Sequence, residues 1–425
     1  MKKLLLILLF SCAFRMAYNQ NNHPHKHPDV SERCSYDAYI DLMRSEDPDY
    51  DNKRAAIEKE VQHWIENNQE EVHNNKTIIT IPVVVHILYY TDNPVYNLPE
   101  SRVLEQIQIL NDDYRRLNAD AVNTPSVFNS VAADCQIEFC LAKRTPNNVY
   151  TNGIVRVKTT VSQFAFGNAM KYTAQGGSNA WDRSKYLNIW VCNLGGGLLG
   201  FAQPPGGAAA TDGVVIHYKY FGKTGAYAPY NKGRTATHEI GHWLNLYHIW
   251  GDDNAGSCTG SDNCNDTPNQ ADEYYGCPSF PQNTCGSDDM FMNYMDYSDD
   301  GCMNIFTINQ RSRMLATLNG QRASIKTSDG CVPGTGINDS KILSSMLMIY
   351  PNPATDNISI EFTLAEAQNL NISIINLLGQ KIYSENLSNT AEIKKEISLA
   401  GFTKGIYIIK IDGETFTVNS KISVL

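Results

Sequence analysis

The chain of 425 residues is too long for one compact domain of ordinary size and suits two or three domains. Its 35 basic and 45 acidic residues give a net charge of -10. No dense run of Lys or Arg occurs, which argues against nucleic acid as a partner. Eleven cysteines are potential disulfide partners if the chain is exported.

Residues 1–17 have the pattern of a secretory signal. Two lysines precede the apolar run from Leu4 to Phe10, and small residues follow with candidate cleavage sites after Ala13 or Ala17. The Ser-Cys pair at 11–12 would also suit a bacterial lipoprotein signal, although the preceding Phe fits that signal poorly. The apolar run is too short to span a bilayer, and no other segment approaches a membrane span.

Residues 18–76 are polar and charged. Within them, the apolar residues between Lys53 and Glu71 recur on one face of a helix. Such a leader is typical of the pro-segment of an exported enzyme, and a flexible N-terminal spacer is the alternative. We therefore assign 18–76 as a pro-segment that precedes a larger domain over 77–332.

The larger domain begins with a β-rich run from Thr77 to Tyr90, which predicts its first strand. A helix is predicted from Pro99 to Asn118, and further strands over Gln136 to Ala142 and Leu187 to Asn193. Asp212 to Tyr218 predicts the strand at the edge of the sheet. An extended peptide could bind such an edge as an additional strand.

The chemistry is concentrated between His238 and His248, in the sequence HEIGHWLNLYH. On a helix, His238 and His242 leave from one face, so both imidazoles can bind the same metal ion. Glu239 can take a proton from a water molecule held between them, as in zinc proteases. His248 can supply a third ligand if the chain turns back after the helix, and Asn245 suits the left-handed conformation of such a turn.

Three neutral imidazoles and a water molecule would leave zinc an open tetrahedral position. Zinc lowers the pKa of such a water towards about 7 and polarises a bound carbonyl. Glu239 would then act as general base and afterwards as the acid that protonates the leaving amine. Ordinary packing explains three histidines in this register poorly.

This segment resembles the metzincin pattern His-Glu-x-x-His-x-x-Gly-x-x-His, with Asn245 at the Gly position. The run NYMDYSDDGCM, from Asn293 to Met303, resembles the Met-turn of the pappalysin family of metallopeptidases. The resemblance covers about residues 77–332. It implies an α+β metzincin zincin fold, with a twisted sheet, an active-site helix and a Met-turn subdomain.

The resemblance also implies roles for further residues. Met295 would form an apolar floor under the metal, and the hydroxyl of Tyr297 would stabilise the tetrahedral oxyanion. In the zymogen, Cys34 of the motif Arg33-Cys34-Ser35 would bind zinc as a latency switch, because a thiolate is a good zinc ligand. An ordinary core role for Tyr297 and a disulfide for Cys34 are the alternatives.

Acidic residues crowd the loop between the active-site helix and the Met-turn, and their hard oxygens suit calcium: Asp252, Asp253, Asp262, Asp266, Asp272 and Glu273. Relatives carry calcium nearby, and Asp266-Thr267-Pro268 matches their loop. Asp262, Asp266 and Thr267 are therefore candidate calcium ligands, and a merely solvated acidic loop is the alternative.

By the same resemblance, Cys258 pairs with Cys285 and Cys277 pairs with Cys302. Cys135 and Cys140 cannot easily bond each other, since they point to opposite faces of a strand. The sequence leaves open the partners of five cysteines: Cys135, Cys140, Cys192, Cys264 and Cys331.

Pappalysin relatives favour a basic residue just after the scissile bond. Asp299 and Asp300 follow the Met-turn, in the segment expected to wall the pocket for that residue. A partly desolvated carboxylate would pair with arginine in bidentate fashion, more specifically than with lysine. We therefore predict cleavage before Arg, or Lys, without deciding which aspartate points inward.

Composition changes after Cys331. Residues 333–348 predict a linker, and 349–425 hold alternating runs without Cys, Trp or His, which predict a small all-β sandwich. Tyr350-Pro351-Asn352-Pro353 and Lys404-Gly405-Ile406-Tyr407 resemble the C-terminal sorting domain of the Bacteroidetes type IX secretion system. A binding module is the alternative.

The sequence therefore predicts a secreted or cell-surface zinc metalloendopeptidase that is made as a latent zymogen. It would act on protein or peptide substrates and would meet the type IX secretion machinery during export. A catalytically idle adhesin on the same scaffold is the alternative. Glu239 separates the two, because a degenerate scaffold has no reason to keep the general base beside all three histidines.

Overall fold

The computed structural model describes residues 33–69, 77–91, 93–251, 256–333, 347–413 and 417–425. The predicted secretory signal, 1–17, and most of the predicted linker lie outside these ranges. Within them, no helix combines the length and the apolar character that crossing a membrane requires.

Five α-helices are described: α1 Tyr36–Glu46, α2 Tyr50–Asn67, α3 Glu100–Tyr114, α4 Arg234–Trp243 and α5 Ile308–Asn319. The strands fall into two groups. Six belong to the larger domain: β1 Ile79–Tyr89, β2 Ile137–Leu141, β3 Ile154–Lys158, β4 Leu187–Cys192, β5 Gly200–Ala202 and β6 Val214–His217. Five follow Cys331: β7 Met348–Tyr350, β8 Asn357–Asn376, β9 Lys381–Ser398, β10 Gly405–Asp412 and β11 Thr417–Val424.

β1 is the central strand of the first sheet, and its eight residues from Ile81 to Leu88 are all buried. Continuous burial of this kind is typical of a strand that is covered on both faces. On one side β1 pairs in parallel with β4. On the other side β2 pairs with its first half and β3 with its second half, again in parallel.

The edge of this sheet is β5, so the prediction that Asp212 to Tyr218 forms the edge strand is wrong. β6 pairs in parallel with β4 and in antiparallel fashion with β5, and therefore lies inside the sheet. No alternating pattern could reveal β5, because the strand has only three residues. Gly200 lets β5 lie close to its neighbours: an added Cβ would be 2.8 Å from the oxygen of Val215 and 3.1 Å from Cγ of Glu239.

α3 packs against both the sheet and the active-site helix α4. Val103, Leu110 and Tyr114 are buried in the main core, and the hydroxyl of Tyr114 donates to the oxygen of Thr237 in α4 at 2.9 Å. The helix ends four residues before the predicted end at Asn118. Arg116 lies in the left-handed region, with a φ of 51°, which is incompatible with a continuing α-helix.

The leader contributes two helices, of which the sequence predicted only the second. α2 begins three residues before Lys53 and packs Ile57 and Val61 against Ala316 of α5. α1 was not predicted, although its buried residues Tyr36, Tyr39 and Met43 recur on one face of the helix.

The C-terminal strands form one antiparallel sheet in the order β11-β10-β8-β7, and β9 pairs with β8. Their alternation agrees with the sequence pattern. In β10, for example, Tyr407, Ile409 and Ile411 are buried, while the residues between them are partly exposed. The prediction of an all-β domain after the linker is therefore confirmed.

Candidate metal centre and cleft

α4 carries the first two histidines and ends where the sequence predicted a turn. Gly241 faces Met295, and a Cβ at this position would overlap the sulfur of Met295. Asn245 has a φ of 72°, the left-handed conformation expected for it. The chain turns back there, and the amide of Leu246 donates to the oxygen of Gly241 at 2.9 Å.

The turn brings three imidazoles together. Nε2 of His242 lies 3.1 Å from Nε2 of His238 and 3.0 Å from Nε2 of His248. The Nδ1 atoms of His238 and His242 contact the backbone oxygens of Tyr294 at 2.7 Å and Leu246 at 2.9 Å. Because Nδ1 is engaged by a carbonyl, Nε2 is left to bind a metal, and the carbonyl holds the ring in that orientation.

Cys34 of the leader completes this group. Its Sγ and one nitrogen of each histidine all lie within 4.8 Å of one another, and all four residues are buried. Among the described residues, these four side chains lie close enough together to share one metal ion. Three imidazoles and one thiol match the tetrahedral nitrogen and sulfur ligands that zinc prefers.

The protonation states of the two helical histidines also suit a bound cation. Burial, followed by the neighbouring imidazoles, holds the pKa of His238 and His242 well below the ordinary value, so both rings are neutral ligands. Burial and the carboxylate of Glu239 raise the pKa of the Cys34 thiol. A metal ion bound to this sulfur would favour the thiolate instead.

Glu239 lies next to the cluster and is almost completely buried. Its Oε2 accepts a hydrogen bond from Sγ of Cys34 at 3.4 Å. Its Oε1 has no hydrogen-bond partner among the described residues. Burial raises the pKa of Glu239 to about 8, against the opposing effects of Cys34, His248 and Arg33. The carboxylate can therefore exchange a proton near neutral pH.

The Met-turn residues lie around the same cluster. Met295 is fully buried against α4. The ring of Tyr297 lies 5.0 Å from that of His248, and its hydroxyl donates to the backbone oxygen of Cys34 at 3.2 Å. The Tyr297 hydroxyl thus contacts a peptide carbonyl held beside the histidines.

Of the two predicted pocket residues, Asp300 points inward. It is fully buried, and its Oδ2 accepts from the amides of Lys232 at 2.8 Å and Arg234 at 3.2 Å, at the start of α4. Asp299 is partly exposed, and the structure gives it backbone contacts with Gly276 and Cys302.

Arg33 fills the space in front of Asp300. Its guanidinium lies 3.3 Å from Oδ1 of Asp300, donates to the backbone oxygen of Ser298 and lies 4.9 Å from the ring centre of Tyr230. The side chain is 1% exposed. Sequence reasoning missed this contact, since it singled out the motif Arg33-Cys34-Ser35 for its thiol alone.

The predicted calcium ligands lie in one loop but have different partners. Asp262 accepts hydrogen bonds from the hydroxyl of Thr267 at 2.8 and 2.9 Å, and burial raises its pKa to about 7. Asp266 accepts from the hydroxyl of Thr307 and the amide of Asn309, at the start of α5. Asp252 and Asp253 lie outside the described residues. Calcium at this loop stays a prediction.

Three disulfides are present among the cysteines that the structure describes. Cys258 bonds Cys285 and Cys277 bonds Cys302, which are the two pairings that the family resemblance implies. The third, which the sequence left open, joins Cys140 and Cys331. Four buried cysteines are free: Cys34, Cys135, Cys192 and Cys264.

Two family models match the chain. Residues 171–319 match the model described as pregnancy-associated plasma protein-A, and residues 348–425 match the secretion system C-terminal sorting domain. An extracellular metalloprotease of Arthroderma benhamiae is 33% identical over 253 residues, which cover 58% of this chain and 79% of that protein. One of Trichophyton verrucosum matches with the same identity and coverage.

Solved structures give the same answer. Mature mirolysin of Tannerella forsythia, in complex with a cleaved peptide, is 51% identical with a TM-score of 0.57, and the match covers 59% of this chain and 96% of that chain. A promirolysin mutant of the same organism is 44% identical with a TM-score of 0.62, covering 69% of this chain and 97% of that chain.

The fold, the histidine cluster and these relatives define a secreted metalloprotease that carries a type IX sorting domain. The chain belongs to the pappalysin family of metallopeptidases. The predicted metzincin fold, the sorting domain and export from the cell are thereby confirmed.

Proposed function

We propose that this metalloprotease is a zinc endopeptidase that cleaves peptide bonds before arginine, or lysine, and that it is made as a latent zymogen. One observation carries the proposal. The leader places Arg33 on Asp300 and, in the next residue, Cys34 among the three histidines. The same two residues therefore occupy the pocket proposed for the substrate and the site proposed for the metal.

His238, His242 and His248 would hold zinc through Nε2. When bound, zinc would polarise the scissile carbonyl and lower the pKa of a water molecule. Glu239 is the general base, because its unpartnered Oε1 can accept the proton of that water. The same carboxylic acid then donates the proton to the leaving amine.

Tyr297 and Met295 complete the active site. The hydroxyl of Tyr297 already donates to one peptide carbonyl in the cleft, that of Cys34. A substrate carbonyl in the same place would accept the same hydrogen bond, which strengthens as negative charge develops on the oxygen. Met295 forms the apolar floor beneath the histidines and packs directly on Gly241 of α4.

Latency follows from the position of Cys34. A metal ion held by the three histidines and the sulfur of Cys34 would have no position left for the water. The leader, 18–76, is thus a pro-segment, followed by the catalytic domain 77–332, a linker 333–348 and the sorting domain 349–425. The match to the promirolysin mutant supports this division, since it covers 69% of the chain against 59% for mature mirolysin.

Specificity for a basic residue follows from Asp300. The pocket already holds a guanidinium, which also contacts a backbone oxygen and an aromatic face. All three contacts suit arginine, whose planar cation bonds several acceptors and stacks on a ring, better than lysine. Asp300 therefore takes the role that the sequence assigned jointly to Asp299 and Asp300.

A peptide library incubated with the purified mature protein tests the proposal. We expect cleavage before Arg, weaker cleavage before Lys, loss of both with a chelator, and recovery when zinc is added back. Elemental analysis of the protein as isolated checks the identity of the metal. A profile dominated by Leu or Phe after the scissile bond, or cleavage that a chelator does not affect, would contradict the proposal.

A further inference from the structure

Lys171 is a buried cation that the proposed catalytic mechanism does not use. The residue is 0% exposed, and its Nζ donates to the backbone oxygen of Thr211 at 2.8 Å. Nζ also lies 5.4 Å from the ring centre of Trp190 and 5.3 Å from that of Phe201. A buried ammonium is costly unless it is hydrogen-bonded, so its remaining partner matters.

That partner comes from the proposed pro-segment. The hydroxyl of Tyr39, in α1, accepts a hydrogen bond from Nζ of Lys171 at 2.9 Å. It also lies 2.8 Å from Oδ1 of Asn168 and 3.1 Å from Oε1 of Gln203. Tyr39 is completely buried, and its ring packs on Phe201 with 5.2 Å between centres. The polar groups around the phenol belong to the catalytic domain, so they would remain to form a pocket when the pro-segment is released.

The pocket lies along the edge strand of the cleft. Phe201 follows Gly200 in β5, and Gly200 forms a parallel bridge with Cys34. The bridge sets the direction of the leader at this point, and α1, which begins at Tyr36, then brings Tyr39 onto Phe201. Arg33 precedes Cys34 and lies on Asp300. The pocket of Tyr39 is therefore on the opposite side of the metal cluster from Asp300.

We propose that this pocket is a subsite of the mature protease that binds a tyrosine side chain N-terminal to the scissile bond, with Lys171 donating to the phenol oxygen. The inference rests on the proposed function, which places the residue after the scissile bond at Asp300. Tyr39 of the pro-segment then occupies the subsite in the zymogen, as Arg33 occupies the pocket on the other side.

The polar groups of the pocket favour tyrosine over its analogues. Nε2 of Gln203 donates to the oxygen of Ala208 at 2.8 Å, and Oε1 accepts from the hydroxyl of Thr211 at 2.6 Å. Gln203 therefore presents an oxygen to the pocket. A phenol satisfies both sides, because it accepts from Lys171 and donates to an amide oxygen. Phenylalanine would leave the buried ammonium without this partner, and a carboxylate would meet an oxygen without a proton between them.

Cleavage of matched peptides by the mature, metal-loaded protease tests the subsite. The peptides carry Arg after the scissile bond and Tyr, Phe, Glu or Ala at each of the preceding positions in turn. At one of these positions we expect kcat/KM for Tyr to exceed that for Phe by about tenfold. Lys171→Met, which keeps the length and removes the charge, is expected to reduce this ratio to about one.

Lys185→Met is the matched control. Lys185 is 41% exposed and pairs with Asp329, so this variant should keep the wild-type ratio. Thermal unfolding of Lys171→Met shows whether it is folded. The peptide with Ala at every preceding position tests the proposed function separately, because its cleavage before Arg does not need the subsite.

Two results would overturn the inference. One is a wild-type protease that cleaves the Ala peptide but shows no preference for Tyr over Phe at any position. The other is a folded Lys171→Met variant that keeps the preference. If Lys171→Met does not fold, the intact chain with Tyr39→Phe is tested instead, together with the wild-type cleavage profile. Loss of the hydroxyl should speed activation of the zymogen. Unchanged activation would contradict the subsite.

Discussion

Two parts of the proposed pro-segment, called here the front end (Arg33 and Cys34) and the rear end (α2), are held on the catalytic domain by different interactions. At the front end, Arg33 and Cys34 are buried and contact groups of the active site itself. At the rear end, α2 packs Ile57 and Val61 on α5, and Glu58 makes a bidentate pair with Arg313 at 2.8 Å for both bonds. Glu58 retains 24% exposure.

We therefore expect the front end to inhibit the enzyme and the rear end to attach the pro-segment to it. On the proposed function, the front end fills the places needed by water and by the substrate, so changes there should alter activity or specificity directly. The rear end touches neither, and its ion pair between Glu58 and the buried Arg313 helps to hold the pro-segment on α5. Changes at the rear should therefore alter only how long the pro-segment stays bound.

The largest expected effect comes from Glu239→Ala, which removes the base without changing either end of the pro-segment. We expect kcat of the mature enzyme to fall at least about a hundredfold, because no other described carboxylate lies in the metal cluster. Glu138→Ala, at a partly exposed ion pair with Arg115, is the control. Peptide cleavage and metal content are measured together, and robust turnover by a metal-loaded Glu239→Ala variant would disprove the mechanism.

Cys34→Ala removes the sulfur at the front end. Activity of the unprocessed chain should rise about fiftyfold, because the position for water is no longer occupied by a strong ligand. Cys192→Ala provides the comparison, since Cys192 is also a free buried cysteine but lies outside the cluster. Initial rates are read before processing begins. Equal latency of the wild type and Cys34→Ala would mean that the pro-segment blocks the cleft by bulk alone.

Asp300→Asn tests the other half of the front end. In the mature enzyme we expect kcat/KM for peptides with Arg after the scissile bond to fall about tenfold, because an ionic hydrogen bond becomes neutral. Asp299→Asn should change it little, as Asp299 is partly exposed. The Arg-to-Leu ratio of kcat/KM separates lost specificity from lost structure. An equal loss in both variants would be evidence against Asp300 as the pocket residue.

Glu58→Gln should have the smallest effect and sharpens the comparison from the rear. We expect activation of the zymogen to become about threefold faster, because Arg313 loses its charged partner. Glu60→Gln removes a similar charge from α2, where the carboxylate accepts a hydrogen bond from the exposed side chain of Gln321. The mature proteases released from the wild type, Glu58→Gln and Glu60→Gln should have the same substrate preference. An altered preference would show that the rear end reaches the cleft.

The sequence predicted the elements with a strong period or a specific turn residue. β1 is a continuous apolar run, α3 has a regular apolar face, and Asn245 adopts the left-handed turn inferred for it. Such features depend on neighbours within about one helical turn or a few strand residues. For the same reason, the three-residue strand β5 escaped sequence reasoning although it forms the edge of the cleft.

The remaining features of the site depend on contacts between distant residues. Arg33 and Asp300 are separated by 267 positions, and Lys171 and Tyr39 by 132. No periodicity links such pairs. The inward direction of Asp300, rather than Asp299, is likewise decided by the amides at the start of α4. Only the fold brings these groups together, so the sequence could name the aspartates but could not choose between them.

The disulfide between Cys140 and Cys331 closes a loop of 191 positions around most of the catalytic domain. It ties the end of this domain to β2, whereas the sorting domain matches only from residue 348. Cleavage between Cys331 and residue 348 would therefore remove the sorting domain and leave the disulfide of the catalytic domain intact. A single nick inside the loop would likewise leave two fragments covalently joined, a safeguard for a protease released among other proteases.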